Sequence, residues 1–507
     1  MTIKQDSQHA RHVRHDKGRF SVRMLPLALT LALGACSLAP TYERPETPTG
    51  ATWKANQAGA DAARSAADIS WQEFFLDPQL KTLIGISLDN NRDLRMALLR
   101  VEEARAQYRI QRADQLPTIG ANGQVQRSRT AEQLRAGGPD SPALSTAYQA
   151  GLAMTSYELD FFGRVRNLSE AALQQYLSTE QAARTARIAL VTEVANAYFA
   201  ERAAETLLDL GRKTREARQA SYELVLARFE GGVATELELN QALGLRDAID
   251  AELAQLQRSS MQAKNALALL IGQELPADLP AAAPFGNSQL IADVPVGVPS
   301  TLLEQRPDIL GAENQLLSAN ASIGAARAAF FPSISLTGQF GTASTHLSDL
   351  FGSGSGAWSF IPVINLPIFT GGRLQANLDL AEVRKDLAVA NYEKTIQQAF
   401  REVADALAGE ATYGNQLKSL RAQETAAGRT LELSNLRYET GVDSYLQVQT
   451  AQISHFSAQQ AVVQAEAASL NNRVALYKAL GGGWKADEPA VQPQADAAAA
   501  AATAAAN

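Results

Sequence analysis

The chain has 507 residues, 46% of them hydrophobic and 20% charged, which indicates a folded protein long enough for more than one domain. Its net charge of −7 argues against nucleic acid as a partner, because no basic stripe follows the amino terminus. A single cysteine excludes an internal disulfide.

The chain opens with a basic segment, a short apolar run over 25–33 and small residues, which is the pattern of an export signal. The run is too short to cross a bilayer as a helix, and no later segment approaches the ~20 apolar residues that a spanning helix needs. We therefore expect any membrane crossing to use strands.

The only cysteine follows three small or apolar residues in the order Leu33, Gly34, Ala35, Cys36. This tetrad resembles the lipobox of bacterial lipoproteins, in which the thiol is acylated and becomes the first mature residue. An incidental cysteine in the apolar run is the alternative. We predict a signal peptide over 1–35 and a lipid on Cys36, which acts as a tether because one lipid group binds a membrane only modestly.

The rest of the sequence contains two copies of one repeated unit. The pentad EVANA from Glu193 recurs as EVADA from Glu402, and the hexad RFEGGV from Arg228 recurs at the same shift as RYETGV from Arg437. We predict repeats over 84–275 and 300–484, joined by a linker over 276–299. An amino-terminal extension covers 36–83, and an alanine-rich tail over 485–507 is expected to be disordered.

Long stretches without proline predict the helices, because proline interrupts a helix. Residues 143–275 and 368–488 contain none, and apolar residues recur there at helical spacing. Each stretch predicts two long helices. One over 164–228 would be about 95 Å long, which belongs to a coiled-coil-like assembly. The turns are predicted at Gly231–Gly232 and at Gly441.

Alternation of apolar and polar residues predicts four strands, over 117–127, 147–159, 332–342 and 357–368. Each is near the ~9–11 residues of a tilted membrane strand. Four strands cannot close into a barrel, and open edges in lipid would leave backbone groups unpaired. The pattern therefore predicts an oligomer, with a twelve-stranded barrel for three protomers. Ordinary soluble hairpins are the alternative.

Several segments together resemble the TolC-type outer membrane factors, specifically the lipid-anchored branch of tripartite multidrug efflux pumps. The resemblance covers nearly the whole mature chain and rests on the segments APTYERP at 39–45, WQEFFLDP at 71–78, YELDFFGR at 157–164, QRPDIL at 305–310, NLPIF at 365–369 and GGGW at 481–484. It implies a homotrimer in which an all-α long-helix tunnel, a twelve-helix α-barrel, joins a transmembrane β-barrel with four strands per protomer.

The resemblance also implies a passive conduit in the bacterial outer membrane, with its helical domain in the periplasm. It implies outer membrane lipid, a periplasmic adaptor and an inner-membrane RND transporter as partners. We expect no catalysis and no cofactor, and the mature sequence agrees in offering only His346 and His455, without a phosphate loop or metal-ligand spacing.

The resemblance makes the two helix turns the contacts for the adaptor. The residues concerned are Gly231, Gly232, Val233 and Leu237 in the first turn and Gly441, Val442 and Leu446 in the second. The simpler alternative, which is compatible with docking, is that these glycines only terminate helices.

Three residues at the same turns are candidates for a periplasmic gate. Threefold symmetry would arrange Asp443 as a ring of carboxylates that selects cations and responds to pH; a solvated aspartate at a helix start is the alternative. Tyr438 and Glu238 match family positions that link neighbouring helices across the closed tip. A hydrogen bond between them would hold the tip shut, so that Tyr438→Phe should raise conductance.

Two other functions stay open at the level of sequence. A channel of the same architecture could serve type I protein secretion or metal-ion export, although the helices show no Met or His clusters for soft metals. A periplasmic coiled-coil scaffold or adhesin without a pore is the third possibility.

Overall fold

The computed structural model describes residues 37–46, 66, 69–135, 138, 140–286, 289–291 and 303–483. Export signal, lipobox and tail lie outside these ranges. The elements are α1 (Trp71–Phe74), α2 (Pro78–Asn90), α3 (Arg92–Ala113), β1 (Ile119–Arg129), β2 (Leu144–Leu159), α4 (Arg164–Glu230), α5 (Glu236–Ile271), α6 (Pro307–Ala328), β3 (Ser333–Ser344), β4 (Gly356–Asn365), α7 (Arg373–Glu439) and α8 (Tyr445–Ala479).

The predicted repeat is present in the element boundaries. Helices α4 and α7 both have 67 residues, and α3 and α6 both have 22. The long helices begin at Arg164 and Arg373 and end at Glu230 and Glu439, so both boundaries shift by the same 209 positions (373 − 164 and 439 − 230). The two copies therefore fold alike, as their sequences predict.

Two compact units make up the chain. Among the described residues, those within Met1–Tyr42, Tyr108–Ala172 and Ser318–Arg384 form one unit, and those within Glu43–Gln107, Leu173–Leu317 and Lys385–Asn507 form the other. Each unit takes segments from both repeats, so the repeat boundaries predicted at 84–275 and 300–484 describe a different division of the chain.

The first unit contains one antiparallel sheet with the strand order β1-β2-β3-β4. Leu152 pairs with Ala121 and Phe340, and Phe340 pairs with Trp358, so a cross-strand row of apolar residues shares one face. The neighbouring pair Gln339 and Ser359 lies on the other face. The predicted division into an apolar and a polar face is present at this row, but it is incomplete, because Ile361 and Val363 of β4 pair with Thr337 and Ser335 on the polar face.

Strand β2 carries an irregularity that the alternation did not predict. Its register with β3 shifts between Met154 and Tyr157, and Ser156 between them has φ of +52°. A bulge of this kind bends a strand and increases its twist. Glycines face each other further along the same pair, since a Cβ on Gly151 would lie 2.5 Å from the Phe340 carbonyl oxygen.

The second unit has its main core where helices α1 and α2 pack on the middle of α4 and the end of α8. Phe74 and Tyr477 stack with ring centroids 3.9 Å apart. The fully buried Asp77 caps α2 and accepts a hydrogen bond of 2.7 Å from the Tyr198 hydroxyl. Burial, followed by the bond to Asp77, raises the pKa of Tyr198. This network fixes the amino-terminal helices on the long helix.

Within the described ranges, none of the helices combines the length and the apolar character needed to pass through a membrane.

Candidate functional site at the two helix turns

The first turn joins α4 to α5 through a left-handed glycine. Gly232 has φ of +74°, and the amides of Val233 and Ala234 both donate to the carbonyl of Arg228, at 2.8 and 3.1 Å. Glycine takes this conformation without the strain that a Cβ would add. The turn therefore supplies hydrogen-bond donors to the last carbonyl groups of α4.

The second turn repeats this geometry between α7 and α8. Gly441 has φ of +77°, and the amides of Val442 and Asp443 donate to the carbonyl of Arg437, at 2.8 and 3.3 Å. Both predicted turn positions are confirmed. The docking role of these residues is not tested by the fold and stays a prediction.

The four predicted adaptor contacts that are not glycine are exposed apolar side chains. The exposed fractions are 69% for Val233, 67% for Leu237, 62% for Val442 and 51% for Leu446. Apolar side chains of this size at both turns give a protomer an apolar surface that a partner could cover.

Asp443 forms an ion pair within its own turn. Both of its carboxylate oxygens accept from Arg437, at 2.6 Å from Nε and 3.0 Å from Nη2. The hydrogen bond from Arg437 lowers the pKa of Asp443, and the same contact raises the pKa of Arg437. The carboxylate is thus compensated locally, which weakens the prediction of a pH-sensitive ring, although the gate role itself stays a prediction.

The predicted hydrogen bond between Tyr438 and Glu238 is absent from the protomer. Glu238 completes a capping box, because its carboxylate accepts at 2.8 Å from the amide of Thr235, whose hydroxyl accepts from the Glu238 amide. The Tyr438 hydroxyl is buried without a hydrogen-bond partner among the described residues. The helix cap thus uses Oε2 of the carboxylate that the hypothesis assigned to the tyrosine.

Tyr438 instead makes its contacts through the ring. It packs edge-on against Tyr445 with centroids 5.4 Å apart, in a cluster with Val225 and Val448. The guanidinium carbon of Arg228 lies 4.8 Å from the ring centroid, which is a cation–π geometry. The aromatic ring thus joins α4 to α7 and α8.

Sequence analysis missed Arg228, although a signal for it was present. Arg228 and Arg437 are equivalent in the two repeats, but the first turn has Ala234 where the second has Asp443. Without a carboxylate in its own turn, Arg228 extends across to α7, where it also donates to the Glu439 carbonyl at 3.5 Å. The arginine thus closes the turn in the repeat that has the acid and bridges helix pairs in the repeat that lacks it.

The predicted lipid site, with Leu33, Gly34, Ala35 and Cys36, lies outside the described residues. The segment directly after it is anchored within the first unit. Ser37 donates to the Asn167 side chain at 2.9 Å, and Asn320 donates to the Pro40 carbonyl at 2.7 Å. Asn167 lies in the first turn of α4, shortly after β2 ends, so this segment lies near the end of the sheet.

The described part of the chain contains no group of three or more His, Cys, Asp or Glu residues that could hold a metal ion.

Comparisons with known proteins agree over nearly the full length. The family model described as "Outer membrane efflux protein" matches residues 83–273 and 298–482. Outer membrane protein OprJ of Pseudomonas aeruginosa is 50% identical over 471 residues, covering 92% of this chain and 97% of that protein. The toluene efflux pump outer membrane protein TtgI of Pseudomonas putida is 46% identical over 470 residues, covering 92% and 99%.

A solved structure shows the same architecture. The outer membrane channel MtrE of Neisseria gonorrhoeae, in its open state, superposes with a TM-score of 0.81 at 40% identity, covering 89% of this chain and 99% of that one. These matches, together with the duplicated helix pairs and the four-stranded sheet, place the chain in one family. The chain belongs to the outer membrane efflux proteins, and it is an outer-membrane channel of an efflux pump rather than an enzyme.

Proposed function

We propose that the chain is the exit channel of a tripartite pump and that it works as a homotrimer with a shared twelve-stranded barrel. The observation that carries this proposal is the sheet of four strands, in which β1 and β4 each have a neighbour on one side only. In lipid, an unpaired strand edge costs several kcal/mol for each unsatisfied backbone group. Pairing β1 of one protomer with β4 of the next removes every such edge.

The two faces of the sheet support a membrane position. Side chains such as Phe340 and Trp358 are 73% and 77% exposed in the protomer and lie on the apolar face. Barrel strands in membranes direct apolar residues to lipid and polar residues to the lumen. We therefore assign the row of Leu152, Phe340 and Trp358 to lipid and that of Gln339 and Ser359 to the lumen.

A lipid on Cys36 would add a second membrane contact. The hydrogen bonds of Ser37 and Pro40 support this position, because they hold the segment that follows Cys36 close to the end of the strands. Labelling with radioactive palmitate should mark the wild-type protein and not Cys36→Ser. A labelled Cys36→Ser protein would contradict the assignment.

The turns at Gly232 and Gly441 would receive the adaptor, which would in turn hold an inner-membrane RND transporter that supplies the energy. Exposed Val233, Leu237, Val442 and Leu446 supply apolar area for this contact. TtgI is named for toluene efflux. We propose that this chain likewise conducts small apolar or amphipathic compounds, including drugs.

The test combines conductance with transport. Purified protein in a planar bilayer should give discrete conductance steps, and a scaffold or adhesin without a pore should give none. Deletion of the gene should increase susceptibility to drugs and solvents while leaving secreted proteins unchanged. Loss of secreted proteins or a metal-sensitivity phenotype alone would support the alternative cargoes. A double substitution of Val233→Asp with Val442→Asp should reproduce the deletion phenotype while the protein still inserts.

A further inference from the structure

Two arginines lie uncovered at the end of α3 that leads into the first strand. Arg109 and Arg112 are about one helical turn apart, so they share a face of the helix, and both side chains are exposed. Strand β1 begins a few residues later, at Ile119. In the proposed barrel, the two guanidinium groups therefore lie just outside the membrane on its periplasmic side.

Neither arginine forms an ion pair with a described residue of the protomer. The nearest acid along the chain, Asp114, accepts a hydrogen bond from Gln111 at 2.8 Å. Arg105, one turn further from the strand, has the carboxylate of Glu102 at 3.7 Å. The two charges closest to the membrane are thus the ones that the protomer leaves unpaired.

The second repeat covers the equivalent surface with its own chain. Helices α3 and α6 both have 22 residues and are related by a shift of 215 positions (307 − 92), which makes Gly324 the counterpart of Arg109. Ala39 passes directly over this glycine, because a Cβ there would lie 2.8 Å from the Ala39 Cα atom. The Pro40 carbonyl accepts a hydrogen bond from Asn320 of the same helix. An arginine at Gly324 would have no room, whereas Arg109 is exposed.

The counterpart of Arg112 has an acid beside it. Arg327 lies 3.7 Å from the carboxylate of Glu382 on α7. At the shift of 209 that relates α7 to α4, the first repeat has Leu173 at the position of Glu382. The second repeat thus has room for a covering segment and an acid for its arginine, while the first repeat has neither at these positions.

The covering segment also indicates where this surface lies relative to the membrane. Ser37, which follows the predicted lipid site, donates to the side chain of Asn167 in the first turn of α4. A Cβ on Gly324 would lie 2.6 Å from the amide nitrogen of the same asparagine. A lipid on Cys36 would therefore enter the membrane near the level of Gly324. Because the two repeats fold alike, Arg109 lies at the same level.

We infer that Arg109 and Arg112 bind the phosphate of an anionic phospholipid in the periplasmic leaflet of the outer membrane. Guanidinium groups donate to phosphate oxygens in a bidentate geometry, and arginines beside a membrane surface attract anionic lipids. The acyl chains would lie against the apolar face of the adjoining sheet, where Ile119 is 66% exposed. This inference rests on the proposed membrane position of the sheet.

Electron spin resonance of labelled lipids tests the site. The full-length protein is reconstituted in phosphatidylcholine vesicles that contain a trace of spin-labelled phosphatidylglycerol or, for reference, spin-labelled phosphatidylcholine. The wild-type protein should bind phosphatidylglycerol in preference to phosphatidylcholine. Replacing both arginines, Arg109→Gln with Arg112→Gln, should lower this preference by about fivefold for each arginine. An unchanged preference in the double variant would overturn the inference.

The matched control is Arg100→Gln, which removes the same charge from the same helix. Arg100 precedes Arg109 by nine residues (109 − 100), about two and a half turns, and so lies on the opposite face of α3. This variant should keep the wild-type preference, as should Arg109→Lys with Arg112→Lys, which retains both charges. An equal loss in Arg100→Gln would show a general attraction of the protein for anions and would contradict a site.

Inorganic phosphate distinguishes a lipid from a free anion. Compared with chloride at equal ionic strength, excess phosphate should not displace spin-labelled phosphatidylglycerol, because the free ion has no acyl chains to place against the sheet. Displacement by phosphate would assign the arginines to a free anion and overturn the lipid assignment.

Two further measurements separate this site from helix stability and from the channel. Arg112 lies in the last turn of α3, where a cation also favours the helix dipole. A lower melting temperature of Arg112→Gln in lipid-free detergent, together with an unchanged lipid preference, would assign the arginine to the helix alone. A reconstituted protein that conducts ions without preferring phosphatidylglycerol contradicts this inference only, whereas a protein that fails to insert contradicts the proposed function as well.

Discussion

Arg228 and Arg437 occupy equivalent positions and yet act differently, and one residue explains the difference. Asp443 holds Arg437 within the second turn, whereas Ala234 leaves Arg228 to contact the ring of Tyr438. Because the first turn has no carboxylate at the position of Asp443, Arg228 is available for the contact between the helix pairs. The sequence shows this difference between repeats, but only the folded geometry shows what the freed arginine contacts.

The first prediction concerns Tyr438. Tyr438→Phe should leave conductance unchanged, because the hydroxyl makes no hydrogen bond in the protomer and the ring contacts remain. Arg228→Met should raise conductance, because it removes a cation–π contact of about 0.5–2 kcal/mol between α4 and α7. The measurement is single-channel recording in planar bilayers.

The matched control for Arg228 is Arg246→Met. Arg246 lies 4.7 Å from the ring centroid of Tyr222, so it makes the same kind of contact, but between α4 and α5 of one helix pair. We expect Arg246→Met to leave conductance unchanged. Higher conductance in Tyr438→Phe would argue for a gate held by the hydroxyl. Equal effects of the two arginine substitutions would show that the contact of Arg228 with Tyr438 has no special role in closing the tip.

The second prediction concerns pH. Arg437 lowers the pKa of Asp443 below its ordinary value of 3.8, so the stabilisation by this pair is present above that value and is lost only as pH falls through the lowered pKa. Conductance should therefore show no step from Asp443 between pH 7 and about pH 5. Arg437→Gln removes the cause and should bring such a step into this range if three carboxylates face each other.

The substitution Asp443→Asn distinguishes a conductance step caused by titration of Asp443 from one caused by another acid at the turns. Any step that persists in Asp443→Asn belongs to another group. A wild-type step between pH 7 and about pH 5 that disappears in Asp443→Asn would indicate an unpaired carboxylate ring.

At the scale of elements, long helices and their turns could be predicted from the sequence because glycine and proline mark them. The predicted helix over 164–228 extends to Glu230, and the turn at Gly232 follows as expected. The ends of the strands were predicted less accurately than those of the long helices. Strand β2 begins at Leu144, three residues before the predicted start, and alternation alone gave no sign of its bulge at Ser156.

The candidate site was only partly predictable. Exposed Val233 and Val442 follow from their positions in the turns, because a short turn leaves its apolar side chains uncovered. The hydrogen-bond partner of Glu238 could not be predicted from the sequence, because a local capping box competes with any distant hydrogen bond for the same carboxylate. Local competition of this kind is visible once the backbone is placed.

The third prediction tests the two faces of the sheet. Leu152→Arg should reduce the yield of folded protein in outer membranes, because a charge facing lipid near the membrane centre costs about 2–4 kcal/mol. Gln339→Arg places the same charge one position away on the opposite face of the adjacent strand and should assemble normally. Assembly is measured by protease resistance of the membrane-inserted protein. Equal yields would contradict the assignment of the faces.

At the scale of the whole molecule, the proposed function depends on how β1 and β4 are completed. A single chain supplies four strands with two open edges, while the family to which it belongs forms channels. Identical copies arranged in a ring close every edge with one repeated pairing. The proposed barrel, tunnel and partner surfaces all require this ring.

Disulfide cross-linking of the two edge strands tests this claim most directly. One cysteine replaces Gln124 in β1, and a second replaces each β4 residue in turn from Ala357 to Ile364, because a disulfide forms only when two Cα atoms approach within about 7 Å. At the matching position, oxidised membranes should give bands of one, two and three linked chains and no larger species. A ladder beyond three chains, or no links between chains at any position in a folded protein, would contradict a shared barrel of three protomers.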